Sequence, residues 1–262
     1  MYINPLKFYR LFDFKFSKRL FRNIKKIRSF NQEPILIVGC GRSGTTLLQA
    51  ILDAHEDIYT FPWETNLFHE KRKFKSHRLN YFYNIMRLYS LMLRQDLPEN
   101  AKRWLEKTPK NVRNIEQILA EFRKKIKIIH IIRDARDVIT SKHPKHDDYY
   151  VPLSRWIFDV KQGLNFKENV NVYSIKYEDI IQDTEKSIKN LCSFLNIPYN
   201  NSIKEYYKYS SKKRDSAWQD GLKPIYNTSV KKWEKPEHKR VIEELYNNSE
   251  CITLLKELDY EI

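Results

Sequence analysis

The chain has 262 residues, 41% of them apolar and 14% aromatic, and its 48 Lys+Arg against 33 Asp+Glu leave a formal charge of +15. That is enough apolar material for a sizeable core, which excludes wholesale disorder, and no run of 18 apolar residues offers a membrane-spanning helix. Average usage of about 7% would supply roughly 18 glycines; there are five, and Gly39, Gly41 and Gly44 share one six-residue window.

Residues 1–32 carry nine Lys/Arg and one Asp, so a basic N-terminal tail is expected ahead of a domain over 33–262. Within it, Leu20, Ile24 and Ile27 sit at helical spacing among lysines and arginines. Two readings stay open for residues 5–29: an amphipathic helix on an anionic membrane surface, or a helix packing its apolar side on the body. Charges interrupt every apolar stretch of the first 30 residues, so none reads as a cleavable signal.

Residues 35–38 (ILIV) read as a strand buried on both faces. The glycine window follows, then a helix over TLLQAILDAH and a short strand at 58–61. A largely helical stretch is expected through 65–95, broken by Pro98. Helices are expected at 111–122, 136–142, 153–166, 184–195 and 237–258, strands at 126–132 and 170–177, and a polar loop at 208–224. Strands alternating with helices imply an α/β fold of three layers, with a mainly parallel sheet flanked by helices. Cys40, Cys192 and Cys251 are too sparse for a disulfide framework, which suggests a reducing, cytoplasmic location. No Cys/His cluster has zinc spacing, and His143 and His146 read as residues of a solvated loop, so no metal is expected.

Gly39-Cys-Gly-Arg-Ser-Gly-Thr-Thr46 lies between a buried strand and a helix, the context of a phosphate cradle. A nucleoside-triphosphate loop reads G-x-x-x-x-G-K-[S/T]. Gly39, Gly44 and Thr46 fill their places, but Thr45 stands where the lysine belongs, and Arg42 brings a cation into the loop instead. A γ-phosphoryl group needs that lysine and Mg²⁺. A sulfuryl group carries less charge, so the loop leans towards sulfuryl transfer; a P-loop small-molecule kinase is the alternative.

VGCGRSGTTLLQAILDAHEDIYTFPWET resembles the 5′-phosphosulfate loop of 3′-phosphoadenylyl sulfate (PAPS)-dependent sulfotransferases, most closely the tyrosylprotein sulfotransferases and related bacterial enzymes. The similarity continues, in order, through WLEKTPKNV, IIHIIRDARDVITSKHPK, IKYEDII and, more loosely, KPIYNTSVKKW. The resemblance implies PAPS as cofactor and adenosine 3′,5′-bisphosphate (PAP) as product. The acceptor would be a hydroxyl on a saccharide, glycolipid, small molecule or peptide tyrosine.

Arg133 falls at the end of a buried strand, where ligands of α/β sheets sit, and an Arg and a Ser can grip a phosphate together. The resemblance gives Arg133 and Ser141 the 3′-phosphate of PAPS, with Lys145 assisting; pairing of Arg133 or Arg136 with Asp134 or Asp137 is the plain alternative. Glu64 matches the family's general base, a task for which partial burial against Trp63 would suit it by raising its pKa towards neutrality. Lys107 matches a lysine on the sulfuryl group and leaving phosphate. Tyr177 matches a tyrosine near the nucleotide, and Ser216 and Lys232 align by spacing with late cofactor contacts. The expected catalytic set is therefore Glu64, Arg42, Lys107 and Ser216. The expected cofactor set is Arg42, Ser43, Gly44, Thr45, Thr46, Arg133, Ser141, Lys145, Tyr177 and Lys232. A nucleic-acid partner is not expected, because it leaves the glycine window and Glu64 without a role. The basic tail fits peripheral contact of residues 1–30 with the inner membrane surface.

Overall fold

A computed structural model describes residues 14–68, 73–142, 148–211, 222–225 and 229–262, with side chains from residue 19 onward. Five strands form one sheet: β1 (Ile35–Gly39), β2 (Ile58–Thr60), β3 (Arg103–Lys107), β4 (Lys127–Ile132) and β5 (Val172–Lys176). Their order is β2-β3-β1-β4-β5, and every pairing is parallel. From the central β1 the chain crosses to one edge through β2, returns to β3, then passes to β4 and β5 on the other side. The crevice beyond the carboxyl ends of β1 and β4 is thus the topological switch point, where ligands of such sheets bind.

The continuous apolar runs of β1 and β4 are explained by helices on both faces. Ile35, Ile37, Ile129 and Ile131 meet Leu48, Ile51 and Leu52 of α2 (Thr45–Asp53) and Leu191 and Leu195 of α8 (Thr184–Leu195). Leu36, Val38 and Ile128 face the opposite way, onto Leu88 and Met92 of α3 (His77–Met92) and Ile115 and Ile118 of α4 (Ile115–Glu121). Each such side chain contributes roughly 1.5–3 kcal/mol when fully buried. A third cluster joins Trp156 and Val160 of α6 (Leu153–Leu164) to Leu254 and Leu255 of α12 (Ser249–Glu257).

Within the basic tail, α1 (Phe14–Ser29) packs on α3. Ile27 is buried there, and the Asn23 amide donates to the carbonyls of Met92 and Leu93 at the end of α3 and of Gln95 just beyond it. Among the described residues no helix is long and apolar enough to cross a membrane.

Several elements differ from the sequence reading. Strand β3 was not expected at all, because its sequence RWLEK carries three charges; all five residues are nevertheless buried. The helix expected over 65–95 spans only 77–92, where Ser76 caps it by accepting from the Leu79 N–H. The helix expected over 136–142 is the short α5 (Ala135–Ile139). The strand expected over 170–177 ends at Lys176, and Tyr177 opens α7 (Tyr177–Gln182). The helix expected over 237–258 divides into α11 (Lys239–Tyr246) and α12, because Asn248 turns its side chain back to cap Cys251 N–H. Two short helices, α9 (Asn201–Lys204) and α10 (Tyr206–Tyr209), connect α8 to the polar segment.

Candidate functional site

The loop after β1 is shaped by glycine at two points. Gly39 has φ 150°, and a Cβ there would run into the Ile131 carbonyl of the neighbouring β4. Gly44 has φ 89°, and a Cβ there would strike the Tyr177 ring. Gly44 is also the N-cap of α2 and offers no side chain to its first turn. The N–H groups of that turn lack intrahelical acceptors and are left for an anion. Arg42 sits between, itself at a positive φ of 69°.

Arg133 leaves the end of β4 and faces this loop. Its Nη1 donates to Arg42 O at 3.1 Å, its Nη2 donates to Ser229 O, and its guanidinium lies 4.5 Å from the centre of the Tyr177 ring. Asp137, one helical turn on, is 3.5 Å from Arg133 and also accepts from the N–H groups of Lys231 and Trp233. Arg136 pairs instead with Asp134 at 2.7 Å and stacks on Trp233. The site is therefore rich in like charge. Loss of hydration lowers the pKa of Arg42 and of Lys232, and in both the neighbouring Arg133 is the next cause. An anion set among these three cations would relieve their repulsion.

Arg42, Gly44, Thr45, Thr46, Arg133 and Tyr177 line a cavity of about 180 Å³, closed by Leu47, Ile181, Tyr206, Lys223, Pro224, Ile225 and Ser229. The lining combines cations (Arg42, Arg133, Lys223) with apolar and aromatic side chains, the mixture a nucleotide requires. Among the buried polar atoms of the described residues that lack partners are Arg133 Nε, in the cavity wall, and Ser43 Oγ, inside the loop. They make the residues present a fit to a phosphate-bearing ligand.

Glu64 and Lys107 form a second cluster. Lys107 ends β3 beside β1, and its Nζ donates to Glu64 Oε1 at 2.8 Å. The lysine side chain is 11% exposed and the glutamate 43%. Glu64 is thus partly buried, and the neighbouring Trp63 is 42% exposed.

The expected residues therefore divide. Arg42, Gly44, Thr45, Thr46, Arg133 and Tyr177 come together at the cavity, Ser43 lies buried within the loop, and Lys232 shares the electrostatics of Arg133. Ser141 does not line the cavity. Because α5 stops at Ile139, Ser141 falls beyond the helix end and its Oγ donates to Asp137 O at 2.7 Å. Lys145 and Ser216, like His143 and His146, lie outside the described residues.

Two supporting carboxylates were not anticipated. Asp159, fully buried on α6, binds Arg113 at 2.6 Å and Arg155 at 3.4 Å, and Arg155 underlies Gly41. Burial first, and Asp159 second, push the Cys40 thiol up to about 12. Glu106, on β3, is the other. Asp159 falls in no recognisable motif; Glu106 lies in WLEKTPKNV, where only Thr108, two residues on, hinted at a donor for a buried acid.

A three-layer α/β fold with a cationic glycine loop at its switch point places the chain among α/β proteins that present a loop and a helix start to a phosphorylated ligand. The sulfotransferase family model matches residues 34–201, and the chain belongs to that family. It is 21% identical over 248 residues to a protein-tyrosine sulfotransferase of Drosophila melanogaster, covering 80% of this chain and 49% of that protein. The fold matches the sulfotransferase domain of the Synechococcus PCC 7002 olefin synthase with a TM-score of 0.60 at 20% identity, covering 88% and 97% of the two chains. A mouse sulfotransferase complexed with PAP superposes with a TM-score of 0.53 at 20% identity, covering 86% of this chain and 88% of that one. The chain spans 31% to 49% of the length of the curated relatives it matches.

Proposed function

We propose that the protein transfers a sulfuryl group from PAPS to an acceptor hydroxyl. The observation that carries this reading is the cluster of Arg42, Arg133 and Lys232 around a glycine-lined helix start that has threonine where a kinase loop has lysine. Bound PAPS supplies the sulfuryl group and, in PAP, its leaving group. Glu64 takes the proton of the acceptor hydroxyl as that oxygen bonds to sulfur. Arg42, Lys107 and the N–H groups at the start of α2 offset the negative charge left on the phosphate oxygen as its bond to sulfur breaks. The ammonium of Lys107 has three N–H donors, so it can hold Glu64 and still reach a second oxygen. Arg133, with Lys145, holds the 3′-phosphate, Ser141 joining them by turning its O–H away from Asp137 O, and Tyr177 and Lys232 border the nucleotide. Ser216 completes the assignment at the reacting end. The charge on a sulfuryl group is low enough for these cations to serve without a metal ion.

The acceptor class comprises saccharides, glycolipids, small molecules and peptide tyrosine; the Drosophila relative supports the last. The location proposed is cytoplasmic, with residues 1–30 contacting an anionic membrane surface. On α1 the exposed Arg19, Phe21, Lys25 and Arg28 support that contact.

Thermal unfolding with PAP and, separately, with ATP–Mg²⁺ tests the cofactor. Stabilisation by PAP without a metal is expected; stabilisation by ATP–Mg²⁺ alone would turn the reading to a P-loop kinase. Transfer of labelled sulfate from PAPS to a panel of hydroxyl acceptors tests the reaction. Sedimentation with anionic phospholipid vesicles, comparing the protein with its Arg19→Glu, Lys25→Glu, Arg28→Glu variant, tests the membrane contact; equal partitioning removes it.

A further inference from the structure

Glu106 is a fully buried carboxylate with no place in the reaction as described so far. Its Oε1 accepts from Thr65 N–H at 3.0 Å, from Thr65 Oγ1 at 3.0 Å and from Thr108 Oγ1; its Oε2 accepts from Asn111 Nδ2 at 3.0 Å. Two of these four bonds go to the residue that directly follows Glu64. Thr108 extends the grip, since its Oγ1 accepts from Asn66 N–H at 3.3 Å, and the Asn66 amide donates to Glu64 O at 3.2 Å. Successive side chains of a strand point to opposite faces, so β3 meets the segment after β2 twice. Lys107 holds the Glu64 side chain, and Glu106 holds the backbone beside it.

We infer that Glu106 is a positioning residue that fixes the 64–66 segment across the end of β3 and so sets the place of the Glu64 carboxylate. This rests on Glu64 being the base, but its geometric part does not. A loop glutamate that is 43% exposed has little packing to locate it. The three-donor site on Glu106 Oε1 supplies what packing does not. Burial raises the pKa of Glu106, while its donors and Lys107 pull it the other way. A carboxylate used only as an acceptor by four donors acts as the ionised form.

The test compares Glu106→Gln with Glu106→Ala. The carbonyl of Gln can still take the Thr65 and Thr108 bonds. Its NH₂ then faces Asn111, whose Oδ1 is buried without a partner and becomes an acceptor on rotation of the amide. Glu106→Gln is therefore expected to keep kcat near wild type. Glu106→Ala is expected to lose ~100-fold in kcat, with PAP affinity unchanged. Equal loss of kcat and PAP affinity in both variants would mark a merely structural role and overturn the inference. Should Glu106→Ala not fold, Thr65→Val, which deletes one of the two Thr65 bonds, is expected to lower kcat by ~10-fold with PAP affinity intact. An unchanged kcat overturns the inference there too. The crystal structure of the folded variant decides independently of any acceptor: Glu64 displaced from Lys107 supports the positioning role, and Glu64 left in place overturns it. Absence of transfer by the wild-type protein overturns the proposed function alone.

Discussion

Lys107 Nζ donates a 2.8 Å hydrogen bond to Glu64 Oε1, tying a lysine with 11% of its side chain exposed to a glutamate with 43% exposed. The two proposed reacting groups thus meet directly. Replacement of either leaves the other without its partner, but the consequences differ. Glu64→Ala removes the proton acceptor, and kcat is expected to fall ~10²–10⁴-fold with PAP affinity little changed. Lys107→Ala removes charge from the leaving oxygen, with an expected loss of ~10²–10³-fold in kcat. Steady-state kinetics beside PAP titration calorimetry checks both. An active Glu64→Ala removes the base assignment and leaves the cofactor assignment standing.

Arg133 reaches three chain segments with one guanidinium: Arg42 O in the glycine loop, Ser229 O, and Asp137 on α5. Lysine at this position keeps the charge but cannot reproduce the planar fork. Hydrogen bonds to charged groups contribute about 1.5–3 kcal/mol each. Arg133→Lys is therefore expected to weaken PAP binding by ~10–100-fold, and Arg133→Ala by more. Calorimetry at low and high salt separates the contributions. The alanine variant should show a weaker salt dependence than the lysine variant, because it alone has lost the charge. Equal salt dependence in both would place the arginine away from the phosphates.

What the sequence made legible follows from how each residue is satisfied. Strands β1 and β4 could be read directly, because apolar side chains on both faces give an uninterrupted hydrophobic run. Strand β3 could not. Arg103, Glu106 and Lys107 are buried only because partners far along the chain meet them: Gln32 Oε1 and Leu195 O for Arg103, Thr65 for Glu106, Glu64 for Lys107. The glycine loop and Arg133 were legible because they sit at strand ends in a local pattern. Asp159 and Ser229 were not, since they act through tertiary contacts that no spacing records.

Gly44 and Tyr177 are 133 residues apart by number, yet the ring occupies the space of the missing Cβ. Gly44→Ala therefore meets both a left-handed φ of 89° and a steric conflict. A strained backbone conformation of this kind costs on the order of 1–3 kcal/mol, and overpacking a similar amount. The variant is expected to unfold at lower urea and to bind PAP weakly. Adding Tyr177→Ala should recover the overpacking part but not the backbone part. The check is a double-mutant cycle in urea unfolding, where the sites in contact should be non-additive. Additive losses would show that the ring can move aside without cost.

His130 on β4 offers a prediction about pH. It is fully buried, its Nε2 has no hydrogen-bond partner, and Gly163 lies against its ring. Burial brings its pKa down to about 4. An unfolded histidine titrates near 6.5, so between these values the unfolded chain binds a proton that the folded chain does not. Stability from this group is complete above about pH 6.5 and is lost as pH falls towards 4. The loss proceeds at up to ~1.4 kcal/mol per unit and totals on the order of 3 kcal/mol. Glu106, Asp137 and Glu178 have raised pKa values and act with the opposite sign, but they are common to the wild type and the variant. The difference between wild type and His130→Gln in urea unfolding, followed from about pH 7 to pH 4.5, therefore isolates this histidine. The wild type should lose stability more steeply than the variant as pH falls; parallel curves would mean that His130 is protonated without cost in the folded protein.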